Sequence, residues 1–207
     1  MKIKKIKKLF QKNRKKPNIF EEFSVLIPLI EVNNKTHLLF EQRAYHLNSQ
    51  PGDICFPGGK KENNETPSYS ALRETMEELN LKEHNIEIFN YLGEIYTPFN
   101  YKINIYIGHI KDIEIEKINF NKQEVQDIFT IPLKKLLNTS FNKYSLKTKF
   151  IIPKDFPYKK IENGEDYHFK TGNYDVFFYE HNKKIIWGIT GKILNIFLKN
   201  IKGLSNN

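Results

Sequence analysis

Between Gly59 and Leu81 the chain reads GKKENNETPSYSALRETMEELNL, and no other stretch limits its folding options so tightly. Glu65 lies six residues after Gly59, Arg73 and Glu74 eight and nine after Glu65, and Glu77 and Glu78 three and four after Glu74. Thr66 and Pro67 have the chemistry of a helix N-cap and a first-turn proline, which predicts a helix over Pro67–Leu79. With Leu72 at zero and ~100° per residue, Tyr69, Met76 and Leu79 fall within about 60° of it. Glu74, Glu77 and Glu78 fall between about 140° and 240°. A core face and an opposed carboxylate face are expected, with Ser70 and Ala71 beside the acids and small enough to admit another backbone. An exposed acidic face is the plain alternative, although like charges at this spacing repel, and repel more when buried. Divalent cations would remove that repulsion by taking the carboxylates as hard oxygen ligands. Gly58 and Gly59 would permit a tight turn that lends a carbonyl to the same ions. Two metals ~4 Å apart would clamp a diphosphate and activate water for attack on phosphorus.

These acids belong to a basic chain of 207 residues with a formal net charge of +9. Residues 1–16 hold nine Lys or Arg and no acid, leaving 24 basic and 24 acidic residues in the remainder. The excess is a property of the N-terminal segment, and no nucleic-acid-binding face on the fold is indicated. Ile3, Ile6, Leu9 and Phe10 recur at helical spacing, so residues 1–20 read as a basic helix or tail and residues 21–203 as the main domain. A solvated helix on the body, contact with anionic membrane or nucleic acid, and attraction of an anionic substrate all remain open for that segment. A single cysteine, Cys55, excludes an internal disulfide. It reads as an inert buried thiol. No apolar run approaches the ~20 residues that span a bilayer, and lysines interrupt the N-terminal apolar residues where a signal peptide would need continuity. The expected compartment is the cytoplasm.

Along the chain, Phe23–Val32 and His37–Arg43 read as strands joined by an Asn33-Asn34 turn, and 53–56 as a short apolar strand. Residues 86–97 and 101–111 read as paired strands around Pro98-Phe99-Asn100. Gln123–Phe129 reads as a short helix leading into Ile131-Pro132-Leu133. Residues 138–172 give little period, consistent with a strand or two and long loops. A hairpin is expected around His181-Asn182, and a helix over Thr190–Lys202 ending near Gly203. Strands interleaved with about three helices, and no internal repeat, give an α+β or sandwich-like α/β/α domain.

Residues 59–81 resemble the Nudix box, G-x5-E-x7-R-E-U-x-E-E-x-G-U, along its whole length. Thr75 stands where a bulkier apolar residue is usual. Asn80 replaces the second glycine, and Asn is the next-best residue for the left-handed turn required there. The resemblance implies that Glu74, Glu77 and Glu78 bind Mg²⁺ or Mn²⁺, with Gly59 offering its carbonyl. It implies that Glu65 and Arg73 brace loop against helix, Arg73 also orienting Glu74. The fold implied is an α/β/α sandwich with a mixed sheet, and the activity implied is hydrolysis of a diphosphate bond by metal and water. Glu74 or Glu124 is a candidate to assist the attack, with a plain helix-start carboxylate as the alternative for Glu124.

Upstream, residues 38–59 (LLFEQRAYHLNSQPGDICFPGG) are similar to the extension of the coenzyme A diphosphatase subfamily, through Arg43, Ala44, Leu47, Gln50, Gly52, Ile54 and Phe56-Pro57-Gly58-Gly59. Glu124-Val125, Ile131-Pro132-Leu133 and Ile186-Trp187-Gly188-Ile189-Thr190 also look familiar from that subfamily. The implied substrate is CoA or a CoA derivative, an anionic nucleotide-type molecule split to 3′,5′-ADP and a 4′-phosphopantetheine product. Arg43, Lys60 and Lys61 flank the expected site and are candidates for phosphate contacts, with solvated surface cations as the alternative. His46 reads as a loop residue, since oxygen ligands suit Mg²⁺. ADP-ribose, a dinucleoside polyphosphate or a capped RNA end are alternative substrates, and a non-catalytic binding module is an alternative function. A homodimer is one open state of assembly.

Overall fold

Asn33 and Asn34 both adopt the left-handed conformation, with φ of 50° and 57°. Two such residues make the hairpin turn whose twist matches a right-handed strand pair. They join β1 (Glu21–Val32) to β2 (Lys35–Arg43). The two strands pair only from Leu29–Val32 to Lys35–Leu38 and then separate. β3 (Ile54–Cys55) lies on β2 in the fork, and β4 (Gly58–Lys60) lies on β1. The Leu26 N–H donates to the Pro57 carbonyl at 3.0 Å, which fastens the apex of the inserted segment to β1. Phe56 stacks on Phe40 of β2 with ring centroids 4.8 Å apart. The computed structural model describes residues 3–12 and 20–204.

β5 (Ile86–Tyr96) and β6 (Tyr101–Ile110) form the expected antiparallel pair, and β6 runs parallel to β1, so the seven-stranded sheet is mixed. Gln123–Phe129 is not a helix: β7 (Val125–Pro132) runs antiparallel along β2. The Asn121 side chain accepts the Gln123 N–H at 3.0 Å and closes a turn, after which the exposed edge of β2 takes the extended chain. The short strand expected at 53–56 shrinks to two residues, because the chain turns inward at Phe56-Pro57.

Period-two alternation divides β1 and β2 between two cores. Leu26, Ile30 and Leu39 point to one side, with Leu79 of α2 (Pro67–Leu79). Ile27, Leu38 and Phe40 point to the other, with Ile193, Leu194 and Phe197 of α4 (Gly188–Leu204). A helix on each face of a mixed sheet makes the α/β/α sandwich. α3 (Leu133–Asn138) is a short helix that follows β7 directly. β8 (Asn142–Thr148), β9 (Gly172–His181) and β10 (Lys184–Ile186) form a second sheet of three antiparallel strands. The basic N-terminal segment forms a helix, α1 (Ile3–Lys12), in which Ile3 is 71% exposed.

α2 begins as its sequence indicates, with Thr66 Oγ1 accepting the Tyr69 N–H at 3.2 Å and Pro67 in the first turn. It ends on Asn80 in the left-handed region (φ 48°, ψ 42°), whose side chain donates to the Asn119 carbonyl at 2.6 Å. Its orientation differs from the helical-wheel expectation. Ser70, Ala71, Thr75, Glu78 and Leu79 are buried while Tyr69 is exposed, so the buried arc is turned about 90° toward the acids. The small side chains allow the helix to close on β1 and β4, and that approach carries Glu78 under the surface.

Candidate active site

Gly58 and Gly59 determine how closely α2 meets the sheet. Gly58 has φ 152°, and a Cβ there would strike the Ser24 carbonyl. A Cβ on Gly59 would occupy the position of the Glu74 carboxyl group. With both positions bare, the Gly58 N–H donates to Glu78 Oε2 at 2.8 Å. Glu78 is 3% exposed, and burial, with Glu41 nearby, pushes its pKa well above the usual carboxylate range.

Arg73 organises the outer side of this helix. It meets Glu65 through two parallel bonds of 3.1 Å, from Nε to Oε2 and from one terminal nitrogen to Oε1. It also reaches Glu74 and Glu77, each at 2.9 Å, and the Lys60 carbonyl at 3.3 Å. Paired this way, Glu65 is held down to about 2, chiefly by the guanidinium. Glu74 moves the opposite way, because partial burial outweighs the attraction of Arg73.

The sequence reading missed Glu41. It lies on β2, on the α2 side of the sheet, and is 1% exposed. Oε1 accepts the Cys55 thiol at 3.1 Å, whereas Oε2 is buried without a hydrogen-bond partner. Burial raises Glu41 to about 7, with Glu124 and Glu74 adding to the rise and Arg43 opposing it. Cys55 is half-buried, and burial beside Glu41 pushes its thiol up. It is therefore a hydrogen-bond donor to an acid. An acid after Leu38-Leu39-Phe40 was the available signal. In a strand covered on both faces, its alternation does not lead to solvent.

Glu124 is exposed at the start of β7 and not on a helix; its carbonyl accepts the Ala44 N–H at 2.8 Å. Its charge is felt by Glu41, Glu74 and Glu78, so these four carboxylates form one electrostatic group. The charge of Arg43 acts on Glu41, and its Nε donates to the Ser49 carbonyl at 3.3 Å. The lysines are engaged elsewhere. Lys60 pairs with Glu21 at 3.1 Å, and Lys61 donates to the Glu62 and Glu65 carbonyls at 2.9 and 3.1 Å. His46 is an exposed loop residue. A cavity of about 650 Å³ bordered by Phe150, Tyr167, His168 and Phe169 contains none of these acids.

Among the described residues, no three His, Cys, Asp or Glu side chains stand in a metal-binding arrangement. In this arrangement Glu74 and Glu77 are both paired with Arg73. The donor set nonetheless fits a hard divalent cation: it offers carboxylate oxygens only, one of them buried and unpartnered, beside a glycine with no side chain to block approach.

The NUDIX domain family matches residues 22–150. Nudix hydrolase 3 of Caenorhabditis elegans is 32% identical over 178 residues, 83% of this chain and 70% of that protein. The peroxisomal coenzyme A diphosphatase NUDT7 of Mus musculus is 30% identical over 70% of this chain, which spans 63% of the mouse protein. The human mitochondrial coenzyme A diphosphatase NUDT8 is 26% identical over 85% of this chain and 67% of its own length. Among solved structures, a MutT/nudix family protein from Enterococcus faecalis has the same fold, with a TM-score of 0.51 at 13% identity, covering 100% of this chain and 71% of that one. Nudix hydrolases use divalent metal ions, and no helix among the described residues is long and apolar enough to cross a membrane. The family match and the identity to these relatives lead to one conclusion: the chain belongs to the Nudix hydrolase family and is a hydrolase of phosphorus-containing acid anhydrides.

Proposed function

We propose that this enzyme cleaves the diphosphate of coenzyme A or a CoA derivative, giving 3′,5′-ADP and a 4′-phosphopantetheine product. One observation carries the reading. The segment 38–59, which resembles the CoA diphosphatase extension, carries Arg43, whose charge acts on buried Glu41, and ends at Gly59 against Glu74. The segment that would recognise substrate thus ends against the helix that carries the hydrolytic acids.

In this reading Glu74, Glu77 and Glu78 hold Mg²⁺ or Mn²⁺ with the Gly59 carbonyl, and the ions when bound supply Lewis acidity and an acidified water. The Gly58 N–H fixes Glu78, so that its free oxygen keeps one direction. Arg73 releases Glu74 and Glu77 as the site loads, and stays anchored by Glu65. Arg43 takes a substrate phosphate oxygen. Glu74 or Glu124 accepts the proton of the attacking water, and the P–O bond to the bridging oxygen breaks. Lys60 and Lys61 take phosphate contacts only by leaving Glu21 and the loop carbonyls.

Product analysis by mass spectrometry with CoA, acetyl-CoA, ADP-ribose, diadenosine polyphosphates and capped RNA tests the substrate. Release of 3′,5′-ADP from a CoA supports the reading, and exclusive turnover of another substrate sinks it. Capped RNA is the second reading because of the basic helix α1, and a preference for RNA lost on deleting residues 1–16 would favour it. Glu77→Gln and Glu78→Gln should each lower turnover by about two orders of magnitude or more with melting preserved. Near-wild-type rates in both would overturn the assignment of the acids. The cytoplasm is our proposed compartment. Two relatives are named for the peroxisome and the mitochondrion, so imaging of the full chain decides among the three.

A further inference from the structure

A carboxylate buried to 1% exposure needs a proton, a cationic partner or a metal, and the surroundings of Glu41 test each in turn. A protonated Glu41 would have an O–H to donate, but Oε2 has no partner and Oε1 already accepts from Cys55. Arg43 acts on Glu41 only through its field, for its recorded hydrogen bond goes to Ser49. Glu41 and Glu78 grip the same inserted segment: Glu41 through the Cys55 thiol, and Glu78 three residues on through the Gly58 N–H. Each therefore has one oxygen fixed by that segment. On Glu41 the remaining oxygen is buried and unsatisfied, on the side of the sheet that α2 covers.

We propose that Glu41 is an additional ligand of the divalent-cation site, its Oε2 joining the carboxylates of α2 while Cys55 holds Oε1 as a positioning residue. This inference rests on the assignment of Glu78 to the same site. A shared cation satisfies the orphaned oxygen and screens the acids from one another, which neither a proton nor Arg43 does. The carboxylate count on the cation rises by one, and that supports tighter metal binding than the Nudix box alone supplies.

Mn²⁺ titration of the full chain, following the free-ion signal by electron paramagnetic resonance, tests the proposal without substrate. Glu41→Gln should raise the Mn²⁺ Kd by about 10- to 100-fold. Cys55→Ala should raise it less, and Cys55→Ser, which still donates a hydrogen bond, should restore wild-type affinity. Melting in EDTA should show Glu41→Gln folded and at least as stable as wild type. An unchanged Kd in Glu41→Gln, with Glu78→Gln weakened, overturns the role of Glu41 alone. Unchanged affinity in Glu78→Gln overturns the site assignment beneath it. If Glu41→Gln fails to fold, the cysteine pair decides, and equal Kd values in wild type and Cys55→Ala refute the proposal.

Discussion

Arg73 holds three carboxylates at once, and its planar fork explains why the pair with Glu65 is the firmest of them. Glu65 has its folded-state pKa depressed from 4.5 to about 2, so its stabilising effect is present above 4.5 and fades as pH falls toward 2. Urea midpoints of wild type and Glu65→Gln should therefore differ most near neutrality and converge near pH 2. Glu41 has the opposite sign. Its folded-state pKa is raised from 4.5 to about 7, so its contribution is full below 4.5 and is lost as pH rises through 7. In EDTA, wild-type melting should fall relative to Glu41→Gln over that interval, and parallel pH profiles would contradict the burial of this acid. Glu65 and Arg73 were legible because their spacing matches the Nudix box, and the resemblance implied the brace they form. Glu41 was not, because its burial depends on α2, which covers the sheet from more than twenty residues away.

At the scale of elements, local chemistry was a good guide to where segments begin and end. Thr66, Pro67 and Asn80 bound α2, and Asn33-Asn34 turns the first hairpin. Substituting Asn80 by alanine should cost about 1–2 kcal/mol in a urea titration, since alanine pays the left-handed strain and loses the bond to Asn119. An unchanged midpoint would show that the helix can end elsewhere. Partnership was harder to read than boundaries. Val125, Ile128 and Phe129 have helical spacing, yet β2 offers an open edge and the segment extends along it. The rotation of α2 had the same origin: hydrophobicity pointed to Leu72 and Met76, whereas Ser70, Ala71 and Thr75 are fully buried. Small residues carry little hydrophobic signal, but they set the distance between backbones.

For the whole molecule, the layered α/β/α core followed from the order of strands and helices and the mixed sheet from the resemblance to the Nudix family, while the second sheet emerged from a region with little periodicity. The strands β8 and β9 pair over seven residues despite the exposed, lysine-containing face of β8. The fork between β1 and β2 has a consequence for the molecule as a unit. Because residues 54–60 are bonded to both strands, the catalytic loop cannot open as a local flap without unzipping the central sheet. Cation loading should therefore slow amide hydrogen exchange at Leu26, whose N–H is tied to Pro57, as much as on α2 itself. Protection confined to α2 would show the two to be separate units. In an enzyme built this way, a bound ion would act as a clasp on the fold, and losing it would loosen the sheet and silence the chemistry together.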